Sequence, residues 1–474
     1  EICACLVGSE MCIRDSYKTL ELHKIMDMLA EQAGNDETLR MISELEPVTD
    51  IDKVRTELKK TEDAFDLSVK YGTPPFYRFK DIRGSLQRAQ SGSSLTLREL
   101  LDVGVMLRQI RGLTDYYASA GDAENTLTPL FTELSPNKWL EDKIQNAILS
   151  EDEIADTASA ELANIRRKIA QAGIRIRESL DKMVRSADVQ KSLMDNIVTV
   201  RDGRYVLPVK AEYKGNVKGI VHASSATGST LFIEPEAVVE ANNDIRVLQG
   251  REQEEIERII AELSSDCAAC AETMKNDYMT CAELNLYFAK SNLGAKMKGC
   301  IPEISDDGVL ELKKARHPLI DPDKVVPVDI TVGKDYSTLI VTGPNTGGKT
   351  VLLKTAGLLT AMTMCGLMVP AADGTKISVF RHILVDIGDM QSIEQSLSTF
   401  SSHMSNVVNI IKTADESSLI LIDELGSGTD PVEGAALAVS IIEALMEKGS
   451  RIFVTTHYPV SYTHLRAHET CADL

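Results

Sequence analysis

The sequence GPNTGGKT at residues 343–350 decides the fold of the second half of this chain. The apolar run LIV at residues 339–341 precedes it, and the run VLL at residues 351–353 follows it. A strand, a glycine-rich turn and a helix in this order form a phosphate cradle, because backbone N–H groups and the helix N-terminus point at the anion. The spacing G-x-x-x-x-G-K-[ST] therefore predicts a P-loop that binds a nucleotide.

Every residue of this stretch is a candidate nucleotide ligand. Lys349 is expected to reach the β- and γ-phosphates, and the hydroxyl of Thr350 is expected to bind Mg²⁺. The candidate nucleotide-binding residues are Gly343, Pro344, Asn345, Thr346, Gly347, Gly348, Lys349 and Thr350.

A second apolar run, LILI at residues 419–422, ends in two adjacent carboxylates. A buried strand of this kind delivers Asp423 and Glu424 at its C-terminal end, where open α/β sheets bind ligands. In a P-loop site Asp423 is expected to hold Mg²⁺ together with Thr350, and Glu424 to activate the attacking water as general base. Aliphatic strands that end in acids are common, so this prediction depends on the phosphate cradle that precedes the run.

Two further segments complete the predicted nucleotide site. The run RIFVTT at residues 451–456 indicates a strand that places His457 at its end, where the imidazole can meet a γ-phosphate. A lone histidine is more often structural, and the position after the two carboxylates favours the sensor role. The hydroxyl-rich run SLSTF at residues 396–400 precedes a predicted helix, whose N-terminus can receive an anion, although such a run by itself is an ordinary cap.

The composition is that of a multidomain protein with an acidic surface. The chain has 474 residues, 43% apolar and 26% charged, with a formal net charge of −20. That charge excludes diffuse binding to nucleic acid, so any such contact needs a local basic surface. No apolar run is long enough to predict a membrane span. Scattered cysteines without a signal peptide favour the cytoplasm, and Cys267 with Cys270 is expected to pack rather than bind metal, because no second ligand pair follows.

The middle of the chain predicts a β-rich tip on two helical arms. Residues 151–195 and 236–293 carry apolar side chains at steps of four and three, which favours a coiled-coil-like pair and leaves an ordinary bundle open. Residues 197–235 change to a strand pattern with a tight turn at Asp202 and Gly203. A second strand pair is expected at 217–221 and 230–233.

This tip is also where the charge of the chain reverses. Residues 161–220 contain 13 Lys or Arg and 7 Asp or Glu, a net charge of 13 − 7 = +6. A solvated face is the usual meaning of such a run, but its place at the end of an arm favours contact with a phosphate backbone. Aromatic residues are few, so stacking on bases is less favoured. The candidate contacts are Arg201, Arg204, Lys210, Lys214 and Lys218.

Taken together, these motifs resemble a known family. The P-loop and four further motifs resemble the MutS ATPase domain, an ABC-type P-loop ATPase: RHPLI at 316–320, SLSTFSSHM at 396–404, LILIDELGSGTDP at 419–431 and TTH at 455–457. The preceding region is similar to the second bacterial branch of that family, called MutS-two here: YKTLELHKIMDMLAEQA at 17–33, DIRGSLQRAQSGSSL at 81–95, TVRDGRYVLPVK at 199–210 and STLFIEPEAVVEANN at 229–243. The likeness runs from residue 17 to residue 458.

The resemblance implies a multidomain fold class: an α-helical lever or core with coiled-coil arms and a small β-rich clamp, followed by an α/β P-loop ATPase domain of ABC type. The expected segments are a non-native end at 1–16, the lever at 17–150, the arms with the clamp at 151–295, the ATPase domain at 300–459 and a second non-native end at 460–474. Both ends resemble translated adaptor or non-coding sequence. The ATPase domain is expected to be truncated, and the family's mismatch-reading, connector and C-terminal Smr nuclease domains to be absent.

The same resemblance implies cofactors and partners. ATP and Mg²⁺ are the expected cofactors, and a homodimer places each nucleotide against the partner's signature at Ser396, Ser398 and Thr399, with residues 426–430 crossing the interface. ATP binding and hydrolysis are expected to open and close the clamp. The expected partners are branched DNA, whose binding restrains homologous recombination, or collided ribosomes contacted through their RNA. No membrane contact is expected.

Three alternatives stay open at this point. The clamp can grip DNA or ribosomal RNA, because basic side chains contact either backbone. A P-loop kinase acting on a small molecule is a second alternative, which the long arms and the signature run disfavour. A third is a nucleotide-binding scaffold that does not hydrolyse ATP.

Overall fold

The computed structural model describes residues 16–121, 124–343, 348–388, 396–427, 429–457 and 468–471, with the backbone alone at 396–402 and 468–471. These residues form two compact units, each made of segments that are distant in sequence. Unit 1 comprises Glu1–Arg78, Gly112–Leu134 and Met279–Leu474, and unit 2 comprises Phe79–Arg111 and Ser135–Tyr278. The predicted division at residues 150 and 300 stays a prediction.

The described chain opens with a run of helices and contains both helices and strands from residue 148 onward, so the fold class is mixed. The α-helices are α1 (Leu22–Ala30), α2 (Asp36–Ser43), α3 (Ile51–Tyr71), α4 (Arg83–Gln90), α5 (Leu97–Ser119), α6 (Thr128–Glu133), α7 (Lys138–Ala147), α8 (Ala160–Val184), α9 (Ala187–Gln190), α10 (Glu236–Ala269), α11 (Ala271–Lys296), α12 (Lys349–Met364), α13 (Ser396–Thr413) and α14 (Pro431–Glu447). The strands are β1 (Ile148–Ser150), β2 (Glu153–Ile154), β3 (Thr199–Arg201), β4 (Arg204–Lys210), β5 (Gly219–Ser224), β6 (Thr230–Pro235), β7 (Glu303–Ser305), β8 (Leu310–Ala315), β9 (Val328–Val332), β10 (Thr338–Thr342), β11 (Lys376–Ser378), β12 (His382–Asp386), β13 (Ser418–Ile422), β14 (Arg451–Thr456) and β15 (His468–Cys471). No helix in these ranges is long and apolar enough to cross a membrane.

A five-stranded parallel sheet in the order β12-β13-β14-β10-β15 is the centre of unit 1. Its central strands β13, β14 and β10 are buried along almost their whole length because both faces are covered, as is usual for parallel sheets. Alternate residues enter two separate cores. One core takes Leu339, Val341, Leu419, Leu421 and Phe453 with α12, and the other takes Ile340, Ile420, Ile422, Ile452 and Val454 with α13 and α14.

Unit 1 also contains a second sheet and an edge strand, β15, on the parallel sheet. A four-stranded sheet in the order β7-β11-β8-β9 shares the core that contains α12. The edge strand β15 pairs in parallel with β10, from Leu339 opposite His468 to Thr342 opposite Cys471. Residues 460–474 were expected to be a non-native end, and that expectation stays a prediction.

In unit 2 the predicted β-rich segment is a four-stranded antiparallel sheet in the order β3-β4-β6-β5. The predicted hairpin turn is confirmed, because Asp202 and Gly203 have φ values of 49° and 75°. The second predicted strand pair is also present, as β5 and β6. Side chains of this sheet share a core with α8 and α10 that includes Leu207, Ile233 and Ile245.

The predicted arm helices are shorter than expected. Residues 151–195 were expected to be one helix, but α8 begins only after Ser159, whose side chain accepts a hydrogen bond from the N–H of Leu162 at 3.0 Å. This N-cap and the preceding β1–β2 pair end the helical pattern on that side. The second predicted helix, at 236–293, is divided into α10 and α11 at Cys270, whose φ and ψ are −103° and 7°.

Helices α8 and α10 run antiparallel to each other. The hydroxyl of Ser159 bonds Glu255 at 2.6 Å, and Nε of Arg166 bonds Glu252 at 2.7 Å. Further along α8, Ile176 and Leu180 share a core with Val238 and Ile245 of α10. The pairing of two arm helices is therefore present, and whether it is a coiled coil stays a prediction.

Candidate nucleotide site

Two glycines shape the backbone at the end of β10. Gly343 has a φ of 145° and Gly348 a φ of 71°, values that residues with a side chain rarely adopt. Gly348 immediately precedes α12 and has no side chain to cap it, so the first N–H groups of that helix are available to an anion. Pro344, Asn345, Thr346 and Gly347 lie outside the described residues.

Lys349 and Thr350, the first two residues of α12, both contact other predicted site residues. The Lys349 ammonium donates to the C=O of Gly343 at 2.7 Å and lies 3.3 Å from Nδ1 of His457. The hydroxyl of Thr350 donates to Oδ2 of Asp423 at 2.6 Å. The structure therefore brings together the end of β10, the start of α12 and the ends of β13 and β14.

Glu424 and His457 form a second contact at the same sheet edge. Nε2 of His457 lies 3.2 Å from Oε1 of Glu424. Because Nδ1 of His457 accepts from the Lys349 ammonium, which only donates, Nε2 carries the proton and donates to the carboxylate. Glu424 has a φ of 51°, a strained conformation that is more common at functional sites than elsewhere.

Thr455 is a site residue that the sequence reasoning did not single out. It is fully buried, and its hydroxyl donates to Oδ1 of Asp423 and accepts the N–H of Glu424, the latter at 2.8 Å. One hydroxyl thus contacts the carboxylate of Asp423 and the backbone of Glu424. Its position two residues before His457, in the strand next to β13, was the only signal in the sequence.

Burial affects the charge of the P-loop lysine. Lys349 is 4% exposed, and this burial lowers the pKa of its ammonium. The charges of Asp423 and Glu424 act against this effect and raise the pKa, but by less. The two carboxylates therefore offset only part of the desolvation cost. A phosphate group beside the ammonium would supply the missing negative charge.

An apolar cavity of about 290 Å³ lies beside the start of α12. It is lined by His317, Ile320, Lys324, Val325, Val326, Val328, Gly348, Val351, Leu352 and Thr355. Two of these lining residues, Val326 and Val351, are 62% and 39% exposed. Burial lowers the pKa of His317, so its imidazole is neutral at pH 7.

The signature residues Ser396, Ser398 and Thr399 were expected to precede a helix. They lie instead inside it, because α13 begins at Ser396. Their side chains are outside the described part of the structure, as are residues 389–395, so their role stays a prediction.

The candidate nucleic-acid contacts differ in their surroundings. Arg201, Lys214 and Lys218 are exposed, and the Arg201 guanidinium lies 4.6 Å from the ring centroid of Phe232. Lys210 is half-buried, and its ammonium donates to the C=O of Lys191 at 3.4 Å.

Arg204 differs from the exposed candidates, because its guanidinium is already paired. It donates to both oxygens of Glu234, at 2.7 and 3.0 Å, and to the amide oxygen of Asn243 at 2.7 Å. Glu234 is fully buried and needs these donors. Arg204 therefore supports this buried carboxylate, and its role as a nucleic-acid contact stays a prediction.

Among the described residues, no cluster of three or more His, Cys, Asp or Glu side chains could hold a metal ion. Cys267 is buried, which raises the pKa of its thiol to about 12, and Cys270 is half-buried. The adjacent oxygens of Thr350 and Asp423 are a different case, since Mg²⁺ is commonly bound by one or two protein oxygens with phosphates and waters.

Comparison with known families covers this site directly. Residues 339–472 match the family model of MutS domain V. The matched range begins in β10 and contains Lys349, Thr350, Asp423, Glu424 and His457. The site described above therefore lies within the domain V region.

Curated relatives match most of the chain. It is 48% identical over 446 residues to the protein named "Endonuclease MutS2" of Acetivibrio thermocellus, and 49% identical over 444 residues to that of Agathobacter rectalis. The protein of the same name from Ruminiclostridium cellulolyticum is 48% identical over 445 residues. These alignments cover 93–94% of this chain, and the chain spans 56% of the length of each of these relatives.

Proposed function

We propose that this chain binds and hydrolyses ATP with Mg²⁺ at the P-loop of its domain V region. The observation that carries the proposal is the convergence of Lys349, Thr350, Asp423, Glu424 and His457 at one edge of the parallel sheet, through contacts of 2.6 to 3.3 Å. The likeness to MutS domain V supports ATP as the nucleotide.

The proposed mechanism assigns one task to each side chain. Lys349 binds the β- and γ-phosphates, and Thr350 with Asp423 would hold Mg²⁺, which polarises phosphate oxygens when bound. Glu424 removes the proton from the attacking water. His457 donates to Glu424 through Nε2 and orients that carboxylate.

The apolar cavity beside α12 is the proposed site of the base. It opens next to Gly348, so a nucleotide with its phosphates at the P-loop can place its base against Val326 and Val351. Burial of these exposed side chains by a planar ring would release ordered water and favour binding.

We further propose that ATP turnover in a homodimer opens and closes a clamp on nucleic acid. The exposed Arg201, Lys214 and Lys218 supply phosphate contacts, and branched DNA or ribosomal RNA is the ligand. The likeness to MutS2 proteins supports this, and the signature residues of α13 would then meet the partner's nucleotide. The relatives' name includes endonuclease, and we propose no nuclease residue in this chain.

Binding of ATP·Mg²⁺ to two variants tests the assigned roles. Lys349→Ala removes the cation that contacts the phosphates, so ATP binding should be lost. Glu424→Gln keeps the shape of the side chain and removes only the base, so ATP binding should be retained. Titration of each purified variant with a fluorescent ATP analogue measures this, and equal loss of binding in both variants would contradict the roles.

A further inference from the structure

Asp386, the last residue of β12, is a nearly buried carboxylate that the proposed mechanism does not use. It is 6% exposed, and its backbone C=O accepts the N–H of Asp423 at 2.9 Å. A carboxylate in such a place needs hydrogen-bond donors, because burial of an unpaired charge is costly. Helix α13 supplies these donors.

His403 and Asn406 are the two residues of α13 that bind this carboxylate. Nδ1 of His403 lies 3.0 Å from Oδ2 of Asp386, and the amide of Asn406 donates to Oδ1 at 2.8 Å. Positions three apart lie on the same face of a helix, so both side chains point at one acceptor. Since a carboxylate only accepts, Nδ1 of His403 carries the proton.

The backbone of Gly388 closes the other side of the imidazole. A Cβ atom at Gly388 would lie 2.8 Å from Cε1 and 2.9 Å from Nε2 of His403, closer than side chains tolerate. The ring therefore lies between the side chain of Asp386 and the backbone of Gly388, both at the exit of β12. Glycine is needed at 388 for this arrangement.

The surroundings of His403 have the net effect of raising its pKa. The hydrogen bond to Asp386 raises the pKa of His403, burial lowers it, and the charges of Asp386, Glu424 and Asp423 raise it further. The imidazole therefore lies within electrostatic reach of the proposed metal ligand and the proposed base.

We propose that His403 is a positioning residue for ATP hydrolysis, which ties the exit of β12 to α13 and thereby holds Asp423 and Glu424 in place. This inference rests on the proposed function. His403 acts through Asp386. Its hydrogen bond holds the carboxylate of Asp386 in place, and the backbone C=O of the same residue then keeps its hydrogen bond from the N–H of Asp423. A shift of about 1 Å in such a site costs about 100-fold in rate.

Two uncharged substitutions at His403 distinguish this positioning role from a merely structural one. His403→Asn places an amide nitrogen near the position of Nδ1, whereas His403→Gln places it near that of Nε2 and leaves Asp386 without this donor. We expect His403→Asn to keep kcat within about threefold of the unaltered chain and His403→Gln to lower it at least about tenfold. The KM for ATP should change less than about twofold in both variants, because the hydrogen bonds described for His403 go to Asp386 and not to Lys349 or Thr350. His23→Gln, at an exposed histidine of α1, is the matched control and should change neither value.

Gly388→Ala tests the same contact from the other side. The added methyl group presses on a ring that Asp386 holds, so kcat should fall in the unaltered background. In the His403→Ala background the ring is gone, and Gly388→Ala should then change kcat by less than about twofold. Equal effects in both backgrounds would overturn the proposed position of the ring.

The outcomes distinguish the inference from the function on which it rests. Equal kcat values for His403→Asn and His403→Gln, whether normal or reduced, would overturn the inference. If the unaltered chain does not hydrolyse ATP, the proposed function fails. The contact between Asp386 and His403 is then tested by urea unfolding of Asp386→Asn, His403→Gln and the double variant. Non-additive midpoints support the contact, and additive midpoints overturn it.

Discussion

At the scale of single residues, the nucleotide site depends on side chains that orient other side chains. The Asp423 carboxylate accepts hydrogen bonds from the hydroxyls of Thr350 and Thr455, and the Glu424 carboxylate accepts one from Nε2 of His457. Each of these carboxylates therefore has a fixed direction before any ligand binds. Such preorganisation is what lets electrostatic groups lower an activation barrier at little reorganisation cost.

Thr455 gives the sharpest prediction at this scale. Thr455→Val keeps the shape of the side chain but removes the hydroxyl that serves Asp423 and the N–H of Glu424, so kcat should fall at least about tenfold. The buried groups left unpaired should lower the free energy of unfolding by about 1–3 kcal/mol. Thr455→Ser retains the hydroxyl and is the control. ATP turnover and urea unfolding measure both effects, and equal loss in the two variants would contradict the role.

The sequence predicted the residues of this site better than their partners. A glycine-rich spacing and an aliphatic run before two acids are local patterns, so Lys349, Thr350, Asp423 and Glu424 could be found and given roles. The pairing of Asp386 with His403 depends on how β12 and α13 pack, which no spacing in the sequence states. The pairing of Arg204 was missed for the same reason, because its partner Glu234 is thirty residues away.

At the scale of elements, local capping and buried pairs set the boundaries that periodicity missed. The steps of four and three continue through residues 151–159, yet Ser159 caps α8 and the preceding residues form β1 and β2. An apolar stripe indicates where a helix can exist and a cap decides where it begins. The parallel sheet was easier to predict, because strands covered on both faces read as continuous apolar runs.

Two arginines in the antiparallel sheet of unit 2 are expected to contribute differently to stability. Arg204→Ala leaves buried Glu234 with only His222 and Asn242 as donors, so stability should fall by about 2–3 kcal/mol, less than the loss of a fully buried pair. Arg201→Ala removes an exposed guanidinium from the face of Phe232 and should cost less than about 1 kcal/mol.

Binding of branched DNA or ribosomes should follow the reverse order in the folded variants. Arg201→Ala should weaken binding because it removes a phosphate contact, whereas folded Arg204→Ala should bind nearly as the unaltered chain does. Urea unfolding and a binding titration on both variants check this. Weaker binding by Arg204→Ala with unchanged stability would show that Arg204 is a contact after all.

At the scale of the whole molecule, the chain has a formal net charge of −20 and one long basic stretch. Nucleic acid is repelled by most of such a surface, so affinity must come from few cations and must depend steeply on salt. Arg201, Lys214 and Lys218 are exposed cations of unit 2 that lie in or beside its β-sheet.

Salt dependence gives the whole-molecule prediction. The triple substitution of Arg201, Lys214 and Lys218 to Ala should reduce the slope of log K against log[salt] for duplex or junction DNA by about 2.7, or about 0.9 per lost phosphate contact. The control removes three exposed lysines elsewhere, Lys53, Lys334 and Lys412, and has the same net charge. An equal change of slope in both variants would mean that net charge, and not this surface, governs binding.

The central claim is that the domain V region hydrolyses ATP at the site of Lys349 and Glu424, and steady-state phosphate release tests it most directly. The measurement uses the unaltered chain and Glu424→Gln, with Mg²⁺, each alone and with junction DNA or purified ribosomes. We predict turnover by the unaltered chain, faster with one ligand, and at least about 100-fold slower release by Glu424→Gln, which still binds ATP. Equal phosphate release by both proteins, or none by the unaltered chain under any condition, would contradict the claim and leave a nucleotide-binding scaffold.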